Sequence, residues 1–152
     1  MIHNERCEFL PPENNSELAV LYAEVALGAS QKSFFNWTFD SALQELNVSK
    51  SLIIYHEHQL GAFLTFREYA DRIEIMAVGT RQELLRQGYG TLIIERLKEY
   101  AAQRSVPLWL EVHENNQSAV KFYLKNHFFT INQRKSYYLD GGTALVMKFS
   151  GN

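Results

Sequence analysis

Cysteine is almost absent. Cys7 stands alone among 152 residues, so no disulfide can form within the chain. No Cys pair or His/Cys spacing of a zinc site occurs either, and a metal-free, cytoplasmic protein is expected. No apolar run is long enough to span a bilayer. The opening residues MIHNERCEF lack the charged-then-apolar order of a signal peptide, so no membrane partner is expected. The net charge of −2 is too small and of the wrong sign to argue for nucleic acid. Two nucleotide-binding signatures are also missing. There is no G-x-x-x-x-G-K-[ST], and the one G-x-G is not completed to G-x-G-x-x-G, because Ile93 occupies the last position. Internal repeats, low-complexity tracts and interdomain linkers are absent. The length then predicts a single domain over 1–152, large enough to bury a core.

What is present is a compact globular composition, 46% hydrophobic and 13% aromatic. Charge is unevenly placed. Residues 1–80 hold 5 Lys and Arg against 11 Asp and Glu, whereas residues 81–152 hold 10 against 6. A random surface distribution accounts for this. So does a division of labour in which the C-terminal half faces an anion and the N-terminal half a cation.

After an extended opening, Asn15 or Ser16 caps a helix to about Gly28, with Leu18, Leu21, Tyr22 and Val25 on one face. An aromatic connector, Phe34-Phe35-Asn36-Trp37, precedes a second helix capped by Thr38 or Asp40. The two helices could frame a substrate groove. Residues 51–55 and 60–66 read as a hairpin whose turn holds His56 and His58, both expected to face water rather than a metal. Ile73, Ile75 and Ala77 then alternate with Glu74, Met76 and Val78 as a strand.

That strand leads through a polar turn into Arg86-Gln87-Gly88-Tyr89-Gly90-Thr91 and a helix with Ile93, Leu97, Tyr100 and Ala101 on one face. Glycines at a helix start let backbone N–H groups approach an anion, and the helix dipole adds about half a positive charge there. Such a cradle suits a phosphate or pyrophosphate. Pro107 ends the helix. Residues 108–112 follow as a short strand, expected to lie parallel to the one before. Asn115 or Asn116 caps a helix bearing Ala119, Phe122 and Tyr123. Two strands, at 128–131 and 144–149, close the chain across a long connection through Tyr137, Tyr138, Gly141 and Gly142.

The strand, the R-Q-G-Y-G loop and the long helix resemble the acetyl-CoA-binding motif of the GNAT N-acetyltransferase superfamily, Q/R-x-x-G-x-G/A, on residues 85–90. Leu85 departs from the preferred Gln or Arg. The linker from Gly79 is about two residues longer than usual, so that Arg81 or Gln82 can fill the polar role. The run LEVHENNQSAVKFYLKNHFF is similar to the family's C-terminal motif at Glu111, Val112, Asn116, Ala119, Tyr123 and Phe128, with His127 where the family has Gly. Leu-Glu-Val, the Tyr twelve residues later, and the closing Arg134-Lys135-Ser136-Tyr137-Tyr138 resemble the bacterial N-alpha-acetyltransferases of ribosomal-protein N-termini.

The resemblance implies an α/β GNAT fold: a mixed, mostly antiparallel sheet with a splayed central parallel pair and helices on both faces. It implies acetyl transfer from acetyl-CoA to a primary amine, with a protein N-terminus as acceptor. A small amine acceptor and a CoA-binding regulator without catalysis are the alternatives. It implies Glu111 as general base and Tyr123 as general acid. Ala77 and Val78 would face the pantetheine, and Arg86, Gln87, Gly88, Tyr89, Gly90 and Thr91 the pyrophosphate, with Asn116 a further cofactor contact. Each has a plain structural counterpart: Glu111 an ion-pair partner, Tyr123 a packed helix residue, Asn116 a helix cap.

Overall fold

The computed structural model describes residues 6–27 and 38–151. Gly28, the side chain of Val25 and the connector at 34–37 lie outside the described residues.

Seven strands form one sheet: β1 (Cys7–Leu10), β2 (Lys50–His56), β3 (Gln59–Glu68), β4 (Ile73–Thr80), β5 (Leu108–His113), β6 (Phe129–Arg134) and β7 (Ala144–Phe149). Their spatial order is β1-β2-β3-β4-β5-β7-β6, and among the described residues β4 with β5 is the only parallel pair. Four helices complete the chain among the described residues: α1 (Ser16–Leu27), α2 (Phe39–Leu46), α3 (Tyr89–Gln103) and α4 (Gln117–Lys125). The parallel pair is the expected one, because the crossover through α3 returns the chain to the end of the sheet where β4 began.

Side-chain alternation along the strands divides the core between the two sheet faces. Leu52, Ile54, Leu64 and Phe66 pack with Ile93, Leu97 and Ala101 of α3 and with Tyr123 of α4. Ile53 and Phe63 point the other way, onto Leu18 and Tyr22 of α1 and Ala42 and Leu46 of α2. The helices α1 and α2 are held by caps and by one partly buried ion pair. Asn15 Oδ1 accepts the N–H of Leu18 at 2.9 Å, and Thr38 forms a reciprocal capping box with Ser41. Glu45, 8% exposed, receives both the Nε and an Nη of Arg67 on β3, at 2.9 and 3.0 Å.

The simple alternation expected for β4 does not survive past Ile75. The register with β3 shifts between Thr65 and Phe66: Phe66 pairs with Ile75 and Thr65 with Ala77, leaving Met76 as the extra residue of a bulge. Ile73 and Ile75 therefore join the α3 side of the core, Ala77 the α1 side, and Val78 the α3 side again. At the same level β4 and β5 part. Their pairing covers Ile73–Ile75 against Leu108–Leu110 and stops there.

The long linker after β4 is taken up by a 3₁₀ turn, Gln82–Leu84. Its last residue is buried, 5% exposed, and lies against Gly61, where a Cβ would come within 2.8 Å of Leu84 Cδ1. The extra residues thus carry their own apolar anchor. Leu84→Ala should destabilise the protein by roughly 2 to 4 kcal/mol, the range for truncating a buried leucine. Chemical denaturation measures this, and a change below about 1 kcal/mol would show the turn to be unanchored.

Candidate active site

The divergence of β4 and β5 opens a cleft of about 1150 Å³, bordered by the second half of β4, the 3₁₀ turn, the start of α3, β5 and α4. Beyond Ile75 each of these strands keeps its antiparallel neighbour on the outer side and loses its parallel neighbour on the inner side. The inner edges of β4 beyond Ile75 and of β5 beyond Leu110 therefore border the cleft without a strand partner, and backbone groups on them are available to a ligand that can pair with peptide-like groups.

One end of the cleft is the start of α3. Gly88 is its N-cap, with φ of 91° and ψ of 4°, a left-handed conformation that glycine adopts without steric cost. Gly90 serves differently: a Cβ there would meet the ring of Phe122 at 3.0 and 3.1 Å, so glycine lets α3 close onto α4. Arg86, Gly88, Tyr89, Gly90 and Thr91 all border the cleft. Gln87 does not: its Nε2 turns back to the carbonyl of Glu83 at 3.2 Å. The ring of Tyr89 is also directed elsewhere. It is 2% exposed, and its hydroxyl lies 2.9 Å from Nδ1 of His56, which leaves main chain as its contribution to the cleft. His56 accordingly does not simply face water, and it joins the β2–β3 hairpin to the start of α3. Arg81 stands at the cleft edge with its Nε donating to the carbonyl of Leu60 at 2.9 Å, while Leu85 is exposed.

The opposite wall is β5 with α4. Leu110 and Val112 are buried in the core, so Glu111 between them leaves on the other face and borders the cleft. Its Oε1 is 3.2 Å from Nε of Arg134 on β6. Glu111 also accepts the hydroxyl of Tyr137, and its charge with this bond raises the Tyr137 phenol above its ordinary pKa. Tyr123 is buried in α4, edge-to-face with Phe122 and Phe128 at 5.3 and 5.6 Å, and it reaches the same cleft. Burial pushes its phenol well above the usual range, so it stays protonated at neutral pH. Tyr138 is pushed up to about 12, by burial first and then by the charge of Glu111.

Asn116 caps α4 through Oδ1, which accepts from the N–H of Ala119 at 3.4 Å. The residue is 2% exposed, yet its Nδ2 has no hydrogen-bond partner. A buried amide donor without an acceptor costs about 1–3 kcal/mol. The residue as a whole borders the cleft. His127, in place of the family's glycine, adopts φ of 68° and thereby preserves the turn after α4.

Glu111, Tyr123, Ala77, Val78 and Asn116 are thus gathered around one cleft, with the glycine loop at its end. Two features were not readable from the sequence: the partnering of Glu111 by Arg134 and Tyr137, and the docking of the β6–β7 loop on His113. Among the described residues, no three His, Cys, Asp or Glu side chains are grouped to hold a metal ion, and no helix is long and apolar enough to cross a membrane.

The Acetyltransferase (GNAT) family profile matches residues 12–128. No curated protein matches the chain significantly. Among solved structures, the chain is similar to the ribosomal-protein-S18-alanine N-acetyltransferase of Escherichia coli, at 22% identity and a TM-score of 0.75, covering 94% of this chain and 92% of that one. It is similar to Ard1 of Thermoplasma volcanium, at 18% identity and a TM-score of 0.74, over 95% and 96% of the two chains. A putative streptothricin acetyltransferase of Bacillus anthracis, solved with acetyl coenzyme A, gives 19% identity and a TM-score of 0.64, over 68% and 63%.

The Glu111–Tyr137 contact has a direct spectroscopic consequence. Glu111→Gln removes the charge that disfavours the phenolate, so the Tyr137 pKa should fall toward its ordinary value. NMR titration of carbon-labelled tyrosine, assigned with Tyr137→Phe, reads this shift. No movement would mean that the two side chains are apart in solution.

Proposed function

The chain belongs to the GNAT family of acetyltransferases, which use acetyl-CoA, and from that premise we propose that its acceptor is a protein or peptide N-terminal amine. The observation that carries the proposal is the placing of one carboxylate and one protonated phenol, Glu111 and Tyr123, on the same cleft. Acyl transfer from a thioester to an amine needs a group that accepts a proton from the amine and a group that gives one to the leaving sulfur.

Acetyl-CoA supplies an activated acyl thioester when bound. The cleft fits it on two counts: a glycine-bordered helix start for the diphosphate, and peptide edges with an unpartnered Asn116 amide for its amide-bearing arm. In this reading Ala77 and Val78 offer main-chain groups to that arm. Gly88, Gly90, Thr91, Arg86 and the main chain of Tyr89 face the phosphates. Gln87 supports the loop through Glu83 rather than touching the ligand.

Glu111 accepts the proton of the incoming ammonium, directly or through a water. An N-terminal ammonium, with a pKa near ~8, gives up that proton more readily than a lysine near ~10.4. The Arg134 guanidinium now against Glu111 supports a cationic acceptor, because an ammonium makes the same kind of contact with the same oxygen. This pair is largely exposed, so exchanging one cation for another costs little. Tyr123 keeps its proton until the sulfur leaves, and burial of the phenol supports that role. The acidic excess of residues 1–80 favours an N-terminus followed by basic residues.

Turnover against N-terminal peptides, the same peptides blocked at the N-terminus but holding a free lysine, and small amines tests the acceptor. Free N-termini should react fastest, and more slowly with added salt. Equal rates with the blocked lysine peptide would overturn the N-terminal assignment. In the same assay Glu111→Gln should lower turnover at pH 7 by about a hundredfold, with the deficit shrinking above pH ~8, where more of the amine is already neutral. A deficit that does not vary with pH would remove Glu111 as the base. Tyr123→Phe preserves the ring packing. It should leave acetyl-CoA affinity nearly unchanged while turnover falls by about a hundredfold, and wild-type turnover would leave Tyr123 as a packing residue.

A further inference from the structure

His113, the last residue of β5 and two beyond Glu111, is 3% exposed. Its Nδ1 accepts the N–H of Asn115 at 3.0 Å. An imidazole nitrogen that accepts carries no proton, so the ring proton sits on Nε2. That Nε2–H donates to Oδ2 of Asp140 at 2.8 Å. The other oxygen of Asp140 accepts the N–H of Gly142 at 2.8 Å. These two bonds, Gly142 first and His113 second, hold the Asp140 carboxyl below its ordinary pKa. The ring of Tyr138 stacks on the imidazole with centroids 4.7 Å apart and planes 27° apart. Gly142 comes so close that a Cβ there would lie 2.2 Å from Nε2 of His113.

Three residues of the β6–β7 loop thus converge on one buried side chain of β5. Beyond these contacts the loop is tied to the body at its end, where the Glu114 N–H donates to the Thr143 carbonyl at 2.9 Å and the Thr143 N–H to Oε1 of Glu114 at 3.1 Å, while its tip is open. Leu139 is fully exposed and Tyr137 is 52% exposed, and the bonds Tyr137 N–H and Tyr138 N–H to the Gly142 carbonyl are internal to the loop. Yet Tyr137 from this loop bonds Glu111, and Tyr138 lies near enough for the charge of Glu111 to raise its phenol.

We infer that His113, through Asp140, is a positioning residue that locks the β6–β7 loop against β5, so that Tyr137 and Tyr138 stand beside Glu111 and shape the acceptor side of the cleft. The inference rests on Glu111 marking the acceptor side, as proposed above. His113 and Asp140 touch neither reacting group. Removing Asp140 should therefore weaken acceptor binding without weakening acetyl-CoA binding, since it leaves in place Gly88 to Thr91 on α3 and the bonds by which His113 holds the turn into Asn116.

Two variants probe the lock from opposite sides. Asp140 is half exposed, so Asp140→Ala opens no cavity and the fold should hold. Gly142→Ala puts a methyl group where His113 stands. Hydrogen exchange across 135–143 should quicken in both, and the acceptor-peptide KM should rise about tenfold, the scale of one lost charge-assisted bond. The acetyl-CoA KM should stay near wild type in both, and the melting temperature near wild type in Asp140→Ala, whereas the methyl group against the buried imidazole lowers it in Gly142→Ala. Asp140→Asn, which keeps one acceptor oxygen, should fall between. Unchanged loop exchange in Asp140→Ala, or KM values for acceptor and acetyl-CoA that rise together, would overturn the lock. A wild-type protein that acetylates no amine overturns the acceptor reading instead, and loop exchange then still decides whether His113 and Asp140 hold the loop.

Discussion

The loss of pairing between two neighbouring strands is the constraint on which the rest of this molecule depends. A sheet ordinarily gains by continuing its ladder, since each unpaired buried amide group costs about as much as a lost hydrogen bond. Here β4 and β5 stop after Ile75 and Leu110. They can do so because each remains tied on its outer side, β4 to β3 as far as Thr80 and β5 to β7 as far as His113. The two antiparallel halves of the sheet act as rigid flanges and the parallel pair as their short hinge-line. Everything with chemical potential lies where the flanges spread: the inner peptide edges, Glu111 on one side, and the glycine loop at the end.

The walls of the opening are fixed by different kinds of force. The α3 side is set by apolar packing and by glycine geometry, at Gly88 through backbone conformation and at Gly90 through contact with Phe122. The α4 side is set by a cap, Asn116, whose oxygen is used by the helix and whose nitrogen is left over. The far side, formed by the β6–β7 loop, is held mostly by polar contacts to His113 and Glu111. Apolar walls are stiff because they are close-packed. A loop held by a few directional bonds can be reshaped by changing one of them, which is a reasonable division between the side for a constant ligand and the side for a variable one.

Much of this was legible in the sequence, and for identifiable reasons. Local signals carry local structure. Thr38 and Asn116 cap the helices that follow them, Pro107 lies beyond the end of α3, and the turn at 57–58 joins two strands. The glycines and the order of Glu111, Asn116 and Tyr123 carried the family resemblance, and those residues do border one cleft. What failed depended on contacts distant in sequence. Nothing near Tyr89 announces that its hydroxyl meets His56, 33 positions away. Arg134 against Glu111 follows from the register of β5, β7 and β6, which no spacing rule supplies. The Gln87 side chain bonds the Glu83 carbonyl four positions back, a local contact that depends on the 3₁₀ turn.

Met76 shows how much can hang on one inserted residue. Up to Ile75 the odd-numbered side chains of β4 face α3. After the bulge the parity is exchanged, so Ala77 faces α1 and Val78 faces α3. The strand therefore contains a phase change, and the sequence beyond it is written in the opposite register. Deleting Met76 would remove the bulge and leave Ala77 and Val78 on their present faces, with the strand alternating uniformly through them. An alignment that places a gap here scores as a trivial loss of one letter. In the folded protein that letter is the whole of the bulge, the local bend of β4 at the level where its pairing with β5 ends.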